Sequence, residues 1–382
     1  MSLMVAEIPT LLKATNIERR AKKISDPLER LRYLRHATAP KSHRYFRHRW
    51  RWLAPAVLAV AIVPLASDAN VPGLQALKLP PMAMRKTGSD LPNVWLVEHT
   101  NESELYSNGL QIDNRLAITN EPRAYSLLSR ESGGPLGPLR YQPAGIVFHT
   151  SESDQAPFEA SQSRTLKRIA HDLLLYIRHK RAYHFLIDRF GRVHRIVVES
   201  DTANHAGRSV WADSRWVYLD LNASFLGVAF EASTYANEHI NQAEIHAAKV
   251  LTEMLRSKYR MPVENCVTHA QVSVNPDNMR LGWHTDWGAN FPFKDIGLQD
   301  NYEQPNPSLY LFGFGYDPVY MKSTSPELWK GLAQAEEGVR EAAAEHGVSV
   351  AEYRRSLQKK YREQISALRY RGATEENDHE PN

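Results

Sequence analysis

The stretch AYHFLIDRFGRVHRIVV, residues 182–198, decides the fold. It reads as two alternating strands around a turn at Gly191, a residue type that turns favour. Just before it, SRTLKRIAHDLLLYIRHKR (163–181) sets Leu166, Ile169, Leu173 and Ile177 at helical spacing, which predicts an amphipathic helix. Farther back, AGIVFHT (144–150) is a continuous apolar run of the kind found in a buried strand. Beyond the hairpin, FLGVAFEAS (225–233) is another strand. Asn241 with Glu244 forms a capping box that opens the helix AEIHAAKVLTEMLRSKY (243–259), Pro262 closes that helix, and NCVTH (265–269) is the final strand. Strands and helices in this order predict an α/β fold, a mixed central β-sheet flanked by helices, over residues 141–300.

At 382 residues and 42% apolar content, the chain can build one sizeable domain with appendages or two modest ones. Residues 91–140 read as a β-rich lead-in, with short strands in VWLVEHT (94–100), ELYSNGLQI (104–112) and RLAITN (115–120). Residues 301–370 form a C-terminal extension whose first part, YEQPNPSLYLFGFGYDP (302–318), has no clear periodicity. Ser325 and Pro326 then start a helix that Gly347 ends, and Ser349 with Glu352 caps a second one running to about Leu368, giving a helical hairpin. Residues 371–382 are polar enough to predict a disordered tail.

The net charge of +4 hides an asymmetry, because residues 1–51 carry thirteen Lys/Arg against four Asp/Glu and leave the remainder at about −5. This basic block runs into LAPAVLAVAIVPLA (53–66), and Asp68 is the only charge between Arg51 and Lys78. A basic segment followed by an apolar one is the order of an export signal or anchor whose basic side stays in the cytoplasm. The expectation is a basic cytoplasmic segment (1–51), an uncleaved signal-anchor or transmembrane segment (52–72) and a linker (73–90). No nucleic-acid partner is expected, since the rest of the chain is mildly acidic and no binding motif accompanies the block. The single cysteine, Cys266, excludes an intramolecular disulfide and a CxxC zinc site, so a metal would be held mostly by histidines and carboxylates. On its apolar strand Cys266 reads as a small buried hydrophobe.

Histidines stand where strands end: His149 in IVFHTSES and His269 in CVTHAQV, with His184 inside YHFLID. A strand end fixes the backbone while the side chain projects into an open cleft. Taken singly, each is an ordinary structural histidine. GWHTDWG (282–288) adds His284 and Asp286, and two neutral imidazoles with one carboxylate form a catalytic zinc set that leaves a fourth position for water. His171, His194 and His246 fall at strand or helix positions that read as solvated, and Trp211, Trp216, Trp283 and Trp287 read as core or rim packing.

IVFHTSES (146–153), AYHFLIDRFGRVHRIVVESDTANHAG (182–207), SFLGVAFEAS (224–233), VTHA (267–270) and HTDWGANFPF (284–293) carry a family resemblance. In order and approximate spacing they resemble the zinc-dependent N-acetylmuramoyl-L-alanine amidases of the type 2 group, which includes the peptidoglycan-recognition proteins. The resemblance covers about residues 140–300 and implies an amidase/PGRP-like sheet with zinc ligands at His149, His269 and Asp286. Asp277 is the rival third ligand, because the family usually places that ligand about eight to ten residues after the second histidine and Asp286 follows it by seventeen. DWGANF resembles the family pattern around the aspartate, which favours Asp286 with an insertion in the connecting loop.

His284 falls where many members carry a lysine, and a protonated histidine there would stabilise the oxyanion of amide hydrolysis, though with a reference pKa near ~6.5 it is only partly charged at neutral pH. Tyr183 matches the tyrosine of the YHF motif that one branch places near the metal, and is expected to orient water or stabilise the transition state. Glu231 is the weaker candidate for a base, since the position matching another branch's glutamate is Ala229. His205, in NHAGRS, is implied to contact substrate, and His184 is grouped with it. The resemblance therefore implies Zn2+ as cofactor, peptidoglycan or muropeptides as partner, and cleavage of the amide between the lactyl group of N-acetylmuramic acid and L-alanine, in wall remodelling or recycling. Together with the basic and then apolar order of residues 1–72, it leads to an expected bacterial cell-envelope location, anchored in the inner membrane with the catalytic domain outside the cytoplasm, or exported. The alternative is a non-catalytic module of the same fold that only binds peptidoglycan.

Overall fold

Asp188 sets the Gly191 turn. In the computed structural model its carboxylate accepts the backbone N–H groups of Phe190 (3.0 Å) and Arg192 (2.9 Å). Gly191 lies at φ +74°, and a Cβ there would stand 2.6 Å from Ala243 O, so the turn needs the left-handed conformation and packs directly on the start of the next helix. The structure describes residues 91–130, 135–234, 240–318, 321–322 and 326–377, all within the unit Pro72–Asn382. The expected basic segment 1–51, anchor 52–72 and linker 73–90 lie outside the described residues. Among the described residues, no helix is long and apolar enough to cross a membrane.

The described chain opens with strands β1 (Leu96–His99), β2 (Ser103–Tyr106), β3 (Gln111–Asp113), β4 (Tyr125–Ser129), β5 (Pro135–Arg140) and β6 (Gly145–Thr150). Helix α1 (Ser163–Lys180) leads to β7 (Phe185–Ile187), β8 (Val193–Arg195), β9 (Val210–Ala212) and β10 (Trp216–Leu219). A single turn, α2 (Leu221–Ser224), precedes β11 (Phe225–Phe230), and α3 (Gln242–Tyr259) precedes β12 (Cys266–Thr268). The short α4 (His269–Val272), the pair β13 (Val274–Asn275) and β14 (Arg280–Leu281), and helices α5 (Pro307–Phe312), α6 (Leu328–Glu345) and α7 (Val350–Asn377) follow.

The main sheet has the order β1-β2-β3-β8-β7-β11-β6-β12. Strands β7, β11, β6 and β12 are parallel neighbours, while β7 and β8 pair antiparallel across the Gly191 turn, so the sheet is mixed as expected. Parallel strands are stable when both faces are covered. On one face Leu186 and Ala229 join Leu173, Leu174 and Ile177 of α1; on the other Phe185, Val228 and Phe230 join Ala248, Leu251 and Met254 of α3. The buried stripe of α1 is Leu166, Ala170, Leu173, Leu174 and Ile177, with Ile169 only half-buried. The α3 capping box forms as expected: Asn241 accepts the N–H groups of Ala243 and Glu244, and the Glu244 carboxylate accepts Asn241 N–H at 2.9 Å.

Several expectations are corrected. The β-rich lead-in joins both sheets: β1 to β3 extend the main sheet from the edge of β8, and β4 and β5 build a second antiparallel sheet with β9 and β10. Arg195 of β8 clamps Glu104 of β2 through two hydrogen bonds of 3.0 and 2.9 Å. His194 is buried rather than solvated, with its ring nitrogens 3.4 Å from the Asp113 carboxylate and 3.3 Å from that of Asp188. RLAITN makes only an isolated bridge, Ile118 to Val197. The stretch without clear periodicity, 302–318, holds α5, whose first turn is capped by the Asn306 side chain accepting Ser308 N–H. Helix α7 runs past the expected end near Leu368, through Asn377 and into the stretch expected to be disordered. Leu309, Phe312, Leu332 and Tyr361 of the extension share the main core with the central strands.

Candidate metal centre

Adjacent parallel strands end side by side and present the two principal histidines. His149 lies near the end of β6, and His269 follows β12, whose Thr268 pairs in register with Phe148. Thr268 and Gln271 cap the turn that His269 opens, with Thr268 N–H donating to Gln271 Oε1 at 2.9 Å. The chain then leaves as the β13–β14 hairpin and returns, and Asp286 O accepts Ala270 N–H at 3.2 Å. The insertion is thus a closed detour that delivers Asp286 beside His269.

One ring nitrogen from each of His149 and His269 and a carboxylate oxygen of Asp286 all lie within 4.8 Å of one another. His269 Nδ1 is 2.8 Å from Asp286 Oδ1 and His149 Nδ1 is 3.1 Å from Asp286 Oδ2. Burial, with His269 next, brings His149 down to about 4. Burial pushes the Asp286 carboxyl up, but His269 and His149 outweigh it and hold the group well below the usual carboxylate range. At neutral pH the cluster therefore presents a neutral His149 imidazole and an ionised carboxylate, as a divalent metal requires. The donor set fits zinc, which takes imidazole nitrogen and carboxylate oxygen. Asp277 is elsewhere: 79% exposed at its side chain, it pairs with Arg208 at 3.0 Å.

The Tyr183 ring lies 5.1 Å from that of His149, and its backbone is held at φ +62°, an uncommon conformation for a bulky residue. Burial raises its phenol above the ordinary range, with Asp286 and Glu152 adding to the effect. His284 stacks on His269 at 4.7 Å and 17°, and its backbone N–H donates to Ser273 Oγ at 3.0 Å. Burial and then His269 lower its pKa, so it is less charged at neutral pH than the sequence alone suggests. His205 is half-buried, with Nδ1 3.2 Å from His149 Nε2. His184, expected to touch substrate, is fully buried and accepts Gly227 N–H at Nδ1, 2.9 Å away, so its place is structural. Trp211 is core, donating to Asn265 Oδ1 at 3.1 Å, whereas Trp283 is 65% exposed beside His284.

Residues 139–291, which contain the whole cluster, match the family model for N-acetylmuramoyl-L-alanine amidase. This segment belongs to the type 2 N-acetylmuramoyl-L-alanine amidase family. Among solved structures, the chain is similar to the amidase LysC from Clostridium intestinale, at 20% identity over 47% of this chain and 93% of that one, with a TM-score of 0.27. It is also similar to the amidase AmiD from E. coli, solved with anhydro-N-acetylmuramic acid-L-Ala-D-gamma-Glu-L-Lys, at 20% identity over 45% of this chain and 64% of that one, TM-score 0.31. Drosophila peptidoglycan recognition protein SD gives 17% identity over 41% and 84%, TM-score 0.26. No curated protein sequence matches the chain.

Within the amidase segment, Glu231 does not join the cluster. Its Oε2 accepts Arg189 N–H at 3.2 Å, and it sits beside Asp188 and Glu244. Among the described residues, Oε1 of Glu231 and Oε1 of Glu244 have no hydrogen-bond partner. Burial raises Glu231 to about 7 and Glu244 to about 8, the Asn241 N–H opposing and Glu231 adding in the second case. A folded-state pKa raised from 4.5 gives stability that is full below about 4.5 and lost as pH rises through 7 to 8. Glu244→Gln keeps an acceptor for the cap and removes the ionisation. Urea unfolding should show it more stable than wild type by on the order of 1–2 kcal/mol at pH 8 and not at pH 5; equal pH slopes in the two proteins would defeat this account.

The amidase segment also depends on residues that the sequence reading passed over. Arg123, 1% exposed, lies outside every motif, and Asn222 and Gly227 act through backbone geometry. Glu152, three residues after His149, was open to notice; its carboxylate accepts Thr150 Oγ1 at 2.7 Å and Thr234 N–H at 3.0 Å.

Proposed function

We propose that the chain is a zinc-dependent N-acetylmuramoyl-L-alanine amidase that cleaves the amide between the muramic acid lactyl group and L-alanine in peptidoglycan or muropeptides. The observation that carries this reading is the buried convergence of His149, His269 and Asp286 inside the amidase segment. These three side chains would hold the ion. When bound, zinc polarises an amide carbonyl and lowers the pKa of water toward ~7.

The chain's own groups supply the rest. Tyr183, kept as a neutral phenol, can donate its O–H toward charge developing beside His149. His284, stacked on His269, offers an imidazole N–H on the other side and is cationic only in acid. Trp283 presents an exposed aromatic face next to it, suited to a sugar or peptide plane. The basic and then apolar order of residues 1–72 supports placing this domain outside the cytoplasm, where its substrate lies.

The test is mass spectrometry of muropeptides incubated with purified protein, with zinc measured on the same sample. Free stem peptide, one zinc per chain, and loss of cleavage on chelation are expected. Zinc without released peptide would reassign the chain to recognition, and cleavage that survives chelation would end the zinc mechanism. Tyr183→Phe should lower kcat by about 10²-fold at unchanged zinc content; a rate within about twofold of wild type removes Tyr183 from the chemistry.

A further inference from the structure

We infer that His205 is a positioning residue that fixes the tautomer of His149, leaving the Nδ1 lone pair of His149 bare on the side of Asp286. The inference rests on the metal-centre reading. It starts from a backbone carbonyl, which can only accept. Phe225 O lies 3.3 Å from His205 Nε2, so in the neutral ring the proton sits on Nε2 and Nδ1 is bare. That bare nitrogen lies 3.2 Å from His149 Nε2. Two bare nitrogens facing each other repel, so His149 carries its proton on Nε2 and donates it to His205. The remaining nitrogen of His149, Nδ1, is then a lone pair 3.1 Å from Asp286 Oδ2. Two acceptors at that distance are stable together when a cation lies between them.

The protein holds His205 firmly for this purpose. Asn222 Oδ1 accepts the N–H groups of His205 (2.9 Å), Ala206 (2.7 Å) and Gly207 (3.1 Å), which locks the loop. Strand β11 leaves room for the ring at Gly227, where a Cβ would stand 2.6 Å from His205 Cγ. His184 backs the ring at 5.6 Å between centroids and is itself held by Gly227 N–H, which donates to its Nδ1 at 2.9 Å, with Arg123 Nη2 at 2.8 Å and Asp201 O at 3.1 Å from its Nε2. Arg123 Nη1 reaches the same Phe225 carbonyl at 3.2 Å and uses its other lone pair. His269 has no such support: among the described residues its Nε2 has no hydrogen-bond partner. The orientation of the site is therefore built from the His149 side. A partner on the outer nitrogen of a metal-binding histidine typically changes metal affinity by about 10- to 100-fold.

Zinc affinity, measured by competition with a chromogenic chelator, tests this on wild type, His205→Phe and His205→Gln. Phe fills the space without accepting, so zinc affinity should fall by about 10- to 100-fold. Gln can donate to Phe225 O and accept from His149, so it should recover most of the loss. Equal affinity in wild type and His205→Phe overturns the inference. Imidazole nitrogen NMR of the metal-free wild-type protein gives a second readout that needs no variant to fold. A proton on Nε2 of His149 supports the inference, and one on Nδ1 overturns it. Wild-type protein that takes up no zinc defeats the metal-centre reading itself, which is a different result from wild type and variant binding zinc equally well.

Discussion

Asp286→Ala is expected to lose zinc on dialysis and to lower kcat/KM on muropeptides by roughly 10³-fold or more, because it removes one of three protein donors and the only anion among them. The two imidazoles alone cannot neutralise a divalent ion in a site where His149 is 1% exposed and His269 5% exposed. Asp277→Ala is the matched control. Its carboxylate pairs with Arg208 at the surface, an arrangement worth about 0–1 kcal/mol, so zinc content and rate should stay within about twofold of wild type. Zinc content and turnover measured on both variants decide the matter. Loss in Asp277→Ala with retention in Asp286→Ala would make Asp277, not Asp286, the third donor.

Arg123→Met should cost about 3–5 kcal/mol in urea unfolding, the largest stability loss expected of a single change outside the apolar core. The guanidinium is buried and donates to Glu199 O (3.1 Å), Asp201 O (3.0 Å), Phe225 O (3.2 Å) and Ala223 O. It thus joins the loop after β8 to the start of β11. Burial lowers its pKa to about 10, which still leaves it charged at neutral pH. Methionine matches the stem in length and leaves those carbonyls short of a donor. A change below about 1 kcal/mol would show that water replaces the guanidinium at little cost.

The two periodicities carried most of the central fold. Gly191, Asn241 with Glu244, and the apolar runs of β6 and β11 each act through neighbours a few residues away, and these were legible. His194 was not, because strand alternation cannot reveal that the lead-in supplies Asp113 to cover that face. Arg123 was not legible either, since its partners stand 61 to 102 residues away in the chain. Helix α5 hid among prolines, although Asn306 followed by Pro307 is a helix start. Within the site, motif order pointed to His149, His269 and Asp286, but the roles of His184 and His205 depend on which backbone groups meet their ring nitrogens. Only three-dimensional placement supplies that.

The detour that carries Asp286 is pinned from beyond the amidase segment. Leu281 N–H donates to Gly315 O at 2.9 Å and Gly315 N–H to Met279 O at 2.8 Å, while Tyr302 Oη donates to Trp287 O at 2.5 Å. The family segment ends at residue 291, so all of these anchors lie outside it. A piece of this chain cut to hold Asp286 in place therefore has to extend past Gly315, because the C-terminal extension is the outer wall against which the detour rests.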